Sequence, residues 1–205
     1  MNEAFFKSVR AQFGPLNQNQ VDGINTLLAA TALVPRMHRA YILATAWHET
    51  ASTMRPIEEY GKGAGHPYAP RYYGRGYVQL TWDYNYKKAC NLLGVDLISN
   101  PEFALRPSIA AQIIVRGMSE GWFTGKKLSD FTDFVTMRRI VNGTDKAALI
   151  SDYARKFENA LVAGPIELPA ASSTVSQPAK PQVPIGLLSA IIAIIKLLFT
   201  RKVKP

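Results

Sequence analysis

Apolar side chains recur every three or four residues along most of the first 163 positions, which is the spacing of amphipathic helices. One such segment begins at Asn17, a residue type that caps helices, and runs to Ala30 with a single apolar face. A second segment begins at Pro35 and is apolar enough to form a largely buried helix that ends near Glu49. Helices are also predicted for residues 83–93, 109–119, 130–141 and 146–163. We therefore expect one mainly α-helical domain over residues 1–163.

The stretch between the second and third helical segments has a different character. Residues 60–76 are rich in Gly and Pro, which favour loops and tight turns over helix. Residues 77–81 then alternate in the way that is typical of an extended strand, and this would place Gln79 and Thr81 on the same side. A small β-hairpin region is therefore expected within the helical domain.

The composition changes again at the end of the domain. Residues 164–184 are rich in Pro, Ala and Ser, with little to bury, and are predicted to form a flexible linker. Residues 185–205 combine an apolar run with a basic end. The apolar run, residues 185–200, would span about 24 Å as a helix. A bilayer core measures about 30 Å, so the run is short for a membrane span. We expect a hydrophobic, amphipathic and cationic C-terminal helix that lies in an anionic membrane surface. The alternative is a helix that packs against the domain or a partner subunit.

The charge balance points to an anionic partner. The chain has 24 Lys and Arg residues against 15 Asp and Glu, a formal net charge of +9. Such an excess favours a nucleic acid, an anionic membrane or an acidic wall polymer. Because the basic residues are dispersed rather than aligned in one stripe, a nucleic-acid partner is not expected.

Cysteine and histidine usage limits the chemistry further. Cys90 is the only cysteine, which excludes an intramolecular disulfide and a thiolate metal cluster. The three His residues lack metal-binding spacing, so no metal or other cofactor is expected. The first residues lack the apolar core and cleavage site of a secretion signal. We expect the protein to be made and kept in the cytosol until another factor releases it.

Two carboxyl groups in unlike surroundings are the candidate chemistry. Glu49 falls at the end of an apolar helix, where lost hydration would favour a protonated carboxyl group that can act as an acid. Glu58 and Glu59 fall at the edge of the polar Gly-rich loop, where a carboxyl group would remain ionised and could act as a base. Glycoside hydrolysis requires such a pair.

Three motifs carry a family resemblance. "AWHET", "YYGRGYVQLTWDYNY" and "RRIVNGTDKA" together resemble glycoside hydrolase family 19, which includes plant-type chitinases and phage endolysins. "QVDGIN" and "MRPIEEYGKG" are similar to the lysozyme-like phage or prophage endolysin branch. The resemblance covers about residues 15–160 and implies a lysozyme-like, mainly α-helical fold with a small β-hairpin region.

The resemblance also implies a role for individual residues. Glu49 is the expected general acid, and the base that activates water is Glu59 or Glu58, with a slight preference for Glu59. Thr81 is expected to hold the attacking water. The residues expected to contact the sugar or to orient the site are His48, Tyr73, Gln79, Asn85 and Asn142.

The expected activity is that of a monomeric endolysin of the muramidase type. It would hydrolyse the β-1,4 bond between N-acetylmuramic acid and N-acetylglucosamine in peptidoglycan by an inverting mechanism. A chitinase is the first alternative, although the absence of plant-type disulfides, the short separation of acid and base, and Tyr77 in place of a common Pro put chitin in doubt. A non-catalytic wall-binding protein and a primarily membrane-active protein are the others.

Overall fold

The structure is a computed structural model that describes residues 2–165. It contains six α-helices and two very short strands within these residues. The bounds are α1 Glu3–Phe13, α2 Gln18–Ala30, α3 Arg36–Glu49, β1 Ile57–Glu58, β2 Arg75–Gly76, α4 Asp83–Leu93, α5 Pro107–Glu120 and α6 Ala147–Ala163. Apart from Gly164 and Pro165, the predicted linker (164–184) and C-terminal helix (185–205) lie outside the described residues.

Five of the six predicted helices are confirmed, because local sequence signals define their ends. Asn17 accepts a hydrogen bond from the backbone N–H of Gln20, whose side chain in turn caps the Asn17 N–H. The apolar face of α2 is buried, as is almost the whole middle of α3. At the other end of the domain, α6 stops at Gly164. Spacing and capping together are sufficient to locate these helices.

Helix α1 has no counterpart among the sequence predictions. Asn2 begins it by accepting a hydrogen bond from the backbone N–H of Phe5. Its apolar residues Phe5, Phe6 and Val9 are buried, and the helix packs against α6. This segment therefore completes the core beside the last helix of the domain.

The core is organised around α3. This helix packs against α6, and Trp47 in its last turn contacts Phe13 of α1 and Phe157 of α6. Burial of such rings is one of the larger stabilising terms in a small domain. Because the last turn of α3 is held in this way, its final residue, Glu49, has a fixed position.

Two predictions of regular structure are wrong. Residues 130–141 form 3₁₀ turns (Leu128–Asp130 and Thr136–Ile140) instead of an α-helix. The Asp130 carboxylate accepts from the Lys127 N–H and the Asp133 carboxylate from the Thr136 N–H, which offers the backbone an alternative to helical bonding. Residues 77–81 do not form a strand, since Arg75 and Leu80 pair with each other across a tight turn.

Gly23 provides a test of the packing of α2. A Cβ atom at this position would overlap the backbone carbonyl oxygen of Met54, which cannot move as a side chain does. We expect Gly23→Ala to lower the free energy of unfolding by about 1–3 kcal/mol, despite the better helix propensity of Ala. Chemical denaturation measures this, with Gly143→Ala as control because nothing lies near its Cβ. An unchanged or higher stability would contradict the predicted overlap.

None of the helices described is long and apolar enough to cross a membrane.

Candidate active site

Strands β1 and β2 form a small antiparallel hairpin that carries several of the candidate residues. Ile57 pairs with Gly76, and Glu58 pairs with Arg75. The backbone N–H of Glu59 donates to the Gly74 carbonyl oxygen at 2.7 Å and continues the pairing. Neighbouring strand residues point to opposite sides, so the two consecutive glutamates have different surroundings.

Glu58 lies on the side of the hairpin that carries a buried arginine. Its Oε1 accepts a hydrogen bond of 2.7 Å from the Tyr73 hydroxyl and lies 3.6 Å from Nε of Arg75. Its Oε2 is 3.8 Å from Nζ of Lys62 and accepts no hydrogen bond within residues 2–165. The Tyr73 hydrogen bond and the nearby cations Lys62 and Arg75 hold the pKa of Glu58 below its ordinary value. Glu58 therefore presents an ionised carboxylate with one oxygen open to water.

Glu59 is bound through both of its oxygens. Its Oε1 accepts from the Tyr68 hydroxyl at 2.9 Å, and its Oε2 accepts from the backbone N–H of Gly74 at 2.8 Å. A Cβ atom at Gly74 would approach the side chains of Glu59 and Gln79, so these two lie on the same side of the hairpin. The carboxylate of Glu59 ties the loop after β1 to β2.

Arg75 organises the side of the hairpin that faces Glu58. Its guanidinium stacks on the Tyr73 ring at 3.6 Å, and its Nη1 donates to the Tyr86 hydroxyl at 2.9 Å. The Tyr86 hydroxyl in turn donates to the Tyr73 carbonyl oxygen at 2.9 Å. These contacts fix Tyr73 and, through it, the carboxylate of Glu58.

The turn that follows β2 holds three further candidates. Nε2 of Gln79 donates to the carbonyl oxygens of Ile57 and Gly76, at 3.2 and 3.3 Å. The Thr81 hydroxyl donates to the Gln79 carbonyl oxygen at 2.8 Å, which leaves its own oxygen able to accept. Nδ2 of Asn85 donates to the Thr81 carbonyl oxygen at 2.9 Å. The structure thus brings Gln79, Thr81 and Asn85 together with the hairpin.

Glu49 belongs to a second group of contacts. Its Oε1 accepts a hydrogen bond of 2.8 Å from Nη1 of Arg138. The Arg138 side chain is 4% exposed and the Glu49 side chain 18% exposed, so the pair is shielded from water on most sides. Nε of Arg138 also donates to the Asp145 carbonyl oxygen, which orients the guanidinium toward α3.

Asn142 and His48 lie beside this ion pair. The backbone N–H of Asn142 donates to the Arg138 carbonyl oxygen at 3.0 Å, and the Asn142 side chain is exposed. His48 is half-buried next to Glu49 in the sequence. Within residues 2–165 the imidazole makes no hydrogen bond, so the expected orientation of the site through hydrogen bonds of His48 finds no support there. Within residues 2–165, no hydrogen bond or ion pair joins the Glu49 group to the Glu58 group.

Exposed aromatic rings continue the site beyond Glu59. The Tyr68 ring, whose hydroxyl holds Glu59, stacks on His66 and meets Trp82 edge-on, with ring centroids 5.0 Å apart in both cases. Trp82 stacks on Tyr84, and these two side chains are 37% and 59% exposed. Exposed rings next to carboxylates and amides are suited to bind sugars, because the rings cover apolar faces while the polar groups bind hydroxyls.

Arg138 and Tyr68 are not among the site residues predicted from the sequence. Arg138 is the first residue of the motif "RRIVNGTDKA", but its contact with Glu49 joins residues 89 positions apart and depends on the fold. Tyr68 lies in the Gly- and Pro-rich stretch, where its position depends on the fold of the loop. In the described part of the chain, no group of three or more His, Cys, Asp and Glu side chains is placed to hold a metal ion.

Comparison with known proteins gives this geometry a context. Residues 41–129 match the family model described as chitinase class I, of glycoside hydrolase family 19. An endochitinase from Arabidopsis thaliana is 29% identical over 159 residues, which cover 68% of this chain and 54% of that protein. A second Arabidopsis endochitinase is 32% identical over 121 residues, covering 54% of this chain and 40% of the relative. The alignments thus span about half the length of these relatives, or less.

The fold comparison agrees with the sequence comparison. The crystal structure of chitinase C from Streptomyces griseus superimposes with a TM-score of 0.54 at 22% identity, covering 78% of each chain. The mainly helical architecture with its small hairpin therefore resembles that of family 19 chitinases, as the sequence predicted. Over residues 41–129, which include the end of α3, the hairpin and the turn with Thr81, the chain is similar to glycoside hydrolase family 19 of the chitinase class I type.

Proposed function

We propose that this chain is an inverting glycoside hydrolase that cleaves β-1,4 bonds in peptidoglycan. The observation that carries the proposal is the presence of two carboxyl groups in unlike surroundings. Glu49 is largely buried against Arg138, whereas Glu58 is 36% exposed and holds an oxygen open to water. An acid and a base with different environments are what inverting hydrolysis uses.

Glu49 is proposed to protonate the bridging oxygen of the scissile bond. Breaking that bond requires a proton on the leaving oxygen, and the partly exposed side of the Glu49 carboxyl is available to a sugar chain. Once the proton has left, the guanidinium of Arg138 stabilises the remaining carboxylate. Arg138 is thus proposed as a positioning residue for the acid.

Glu58 is proposed as the base, and the contacts favour it over Glu59. A general base must accept a proton from water, and an oxygen that no donor already occupies is the more accessible acceptor. Both oxygens of Glu59 accept hydrogen bonds, whereas Oε2 of Glu58 accepts none in the described residues. The slight sequence preference for Glu59 is therefore reversed in this proposal. The free lone pairs of Thr81 are proposed to help hold the attacking water.

The sugar chain is proposed to bind along the turn and the exposed rings. Asn85 and Gln79 retain carbonyl oxygens that can accept from sugar hydroxyl or amide groups, since only their amide nitrogens are engaged. Trp82 and Tyr84 offer ring faces to the apolar sides of the sugars. Asn142 adds an exposed amide next to the Arg138–Glu49 pair.

Peptidoglycan and chitin share the β-1,4-linked N-acetylhexosamine backbone. The net charge of +9 supports the anionic bacterial wall as the natural substrate. The two Arabidopsis relatives are endochitinases, which supports chitin as the second candidate. Mass spectrometry of digests of purified peptidoglycan and of chitin oligomers tests the proposal. New reducing ends on N-acetylmuramic acid support a muramidase, release from chitin alone supports a chitinase, and no release from either contradicts hydrolysis.

The hydrogen bond from Tyr73 to Glu58 gives a prediction about pH. Because this bond is the largest cause of the lowered pKa, Tyr73→Phe should raise the pKa of Glu58. A base works only when ionised, so the acid limb of kcat/KM should move to higher pH in this variant. Tyr68→Phe is the matched control, since it removes a hydroxyl from Glu59 instead. A shift of the acid limb in the control alone would identify Glu59 as the base.

The proposed biological setting is that of a phage or prophage endolysin. The protein would remain in the host cytoplasm until it is released to the wall, and residues 185–205 would bind an anionic membrane surface. This part of the proposal rests on the sequence, because those residues lie outside the described part of the chain.

A chain that stops at residue 169 tests the role of the tail. We expect this truncation to retain hydrolysis of isolated wall, since it keeps Pro165, whose carbonyl oxygen accepts from Asn2. It should lose at least about tenfold in affinity for vesicles that contain phosphatidylglycerol, because an apolar face and basic residues are removed together. Co-sedimentation with such vesicles measures the loss, and unchanged binding would contradict the membrane proposal.

A further inference from the structure

A cavity lies beside the residues that flank the hairpin. It has a volume of about 270 Å³ and is lined by residues of α2, by the segment that leads into β1, by Tyr77 after β2 and by the residues around the start of α5. None of its lining residues belongs to the catalytic or substrate-binding groups proposed above. The cavity is therefore a separate feature of the domain.

Four polar side chains of the cavity wall, Asn19, Asp22, Arg55 and Tyr77, can form further hydrogen bonds. Within residues 2–165, the guanidinium of Arg55 and the amide of Asn19 make no hydrogen bond or ion pair through their side chains. Asp22 accepts one hydrogen bond from Gln18 and forms no ion pair there. The wall thus offers donors and acceptors together, with one positive and one negative charge.

Tyr77 is the most informative of these residues. Its side chain is 1% exposed, yet its hydroxyl makes no hydrogen bond to any residue between 2 and 165. The hydroxyl oxygen is not among the fully buried side-chain atoms that lack a partner in the described residues, so it opens to solvent and is available to water or a ligand. Burial raises the pKa of Tyr77 to about 12, so the hydroxyl remains a neutral donor. Because Tyr77 lines the cavity, a ligand there can satisfy it.

The rest of the wall indicates which class of ligand would fit. Met54, Pro56, Leu105 and Pro107 add apolar surface to the same wall. A sugar ring has the same division, with an apolar face and a rim of hydroxyls. Because the positive charge of Arg55 and the negative charge of Asp22 cancel, the cavity suits a neutral ring better than an anion. The volume has room for a single hexosamine ring with its acetamido group.

The cavity is also connected to the proposed base. Arg55 and Pro56 lead directly into β1, and Tyr77 follows β2 directly. We propose that this cavity is an accessory binding site for one neutral N-acetylhexosamine ring of the polymer, distinct from the rings bound at the scissile bond. The inference rests on the proposed function for the identity of the polymer.

Binding measurements on the full chain test this site. Arg55→Ala and Tyr77→Phe should each weaken binding to insoluble polymer about tenfold, and kcat/KM for a soluble N-acetylglucosamine tetramer should stay within about twofold. Arg155→Ala is the charge-matched control, because Arg155 is exposed on α6 and does not line the cavity. Unchanged polymer binding in both variants would overturn the inference. Equal losses on polymer and tetramer would also overturn it, because the cavity would then be part of the bond-cleaving cleft.

A further titration tests the class of ligand independently of the proposed hydrolytic function. NMR titration of the inactive Glu49→Gln chain with N-acetylglucosamine should shift the signals of Arg55 and Tyr77. Shifts with a wall-derived peptide and none with the sugar would overturn the saccharide assignment. If the wild-type chain hydrolyses neither polymer but the sugar still binds at Tyr77, the proposed function fails and the inference stands.

Discussion

Replacing Glu49 with Gln is expected to lower the rate of polymer hydrolysis by about 10³-fold or more, since proton donation by a positioned group contributes about 10²–10⁴-fold. The amide cannot supply the proton, although its oxygen can still accept from Arg138 at the position of the carboxylate oxygen. Reducing-end release from peptidoglycan and from chitin oligomers measures the rate. Normal digestion by this variant would contradict the assignment of the acid.

Two controls separate loss of chemistry from loss of structure in this variant. The change leaves a largely buried guanidinium beside a neutral amide, so we expect a loss of about 1–2 kcal/mol in the free energy of unfolding. Thermal denaturation should therefore still show a cooperative transition. Binding of the variant to insoluble polymer should persist. A protein that binds walls without catalysis would show no effect of the substitution on its biological action.

The second large effect is expected from a matched pair of substitutions on the hairpin. Glu58→Gln should lower the rate by about 10²–10⁴-fold, because the amide cannot take a proton from water. Glu59→Gln should cost less than about tenfold, since its amide oxygen can accept from the Gly74 N–H while its nitrogen donates to the Tyr68 hydroxyl oxygen.

The comparison of the two rates decides between the glutamates. The two substitutions change charge equally and lie on neighbouring residues, so general electrostatic effects on a charged polymer are nearly matched. Rates are measured on a soluble oligomer to keep polymer binding out of the comparison. A larger loss in Glu59→Gln would assign the base to Glu59 and contradict the argument from open oxygens.

The sequence was informative where structure depends on near neighbours. Five helices and the end of α3 at Glu49 follow from apolar spacing and end signals such as Asn17, Pro35 and Gly164. The turn at residues 76–79 could not be predicted, because alternating residues suggested a strand while Gln79 adopts a positive φ of 53°. Its side chain bonds to the carbonyl oxygen of Ile57, which is 22 residues away.

The sequence motifs supplied the candidate residues of the site, whereas their contacts required the structure. The motifs identified both possible bases and Thr81, and the structure adds which oxygens of Glu58 and Glu59 are engaged. That difference arises from Tyr68 and Gly74 approaching one glutamate and Tyr73 the other. The Arg138 contact joins residues 89 positions apart, and long-range pairs of this kind follow from the fold alone.

Glu49 and Glu58 are anchored in very different ways. Glu49 ends a fourteen-residue helix that packs in the core, whereas Glu58 stands on a two-residue strand steadied by side chains. The consequence is that the position of Glu49 depends on the packing of the whole core, whereas that of Glu58 depends on a few side-chain contacts. A substitution that loosens the hairpin contacts would therefore displace the proposed base while leaving the proposed acid in place.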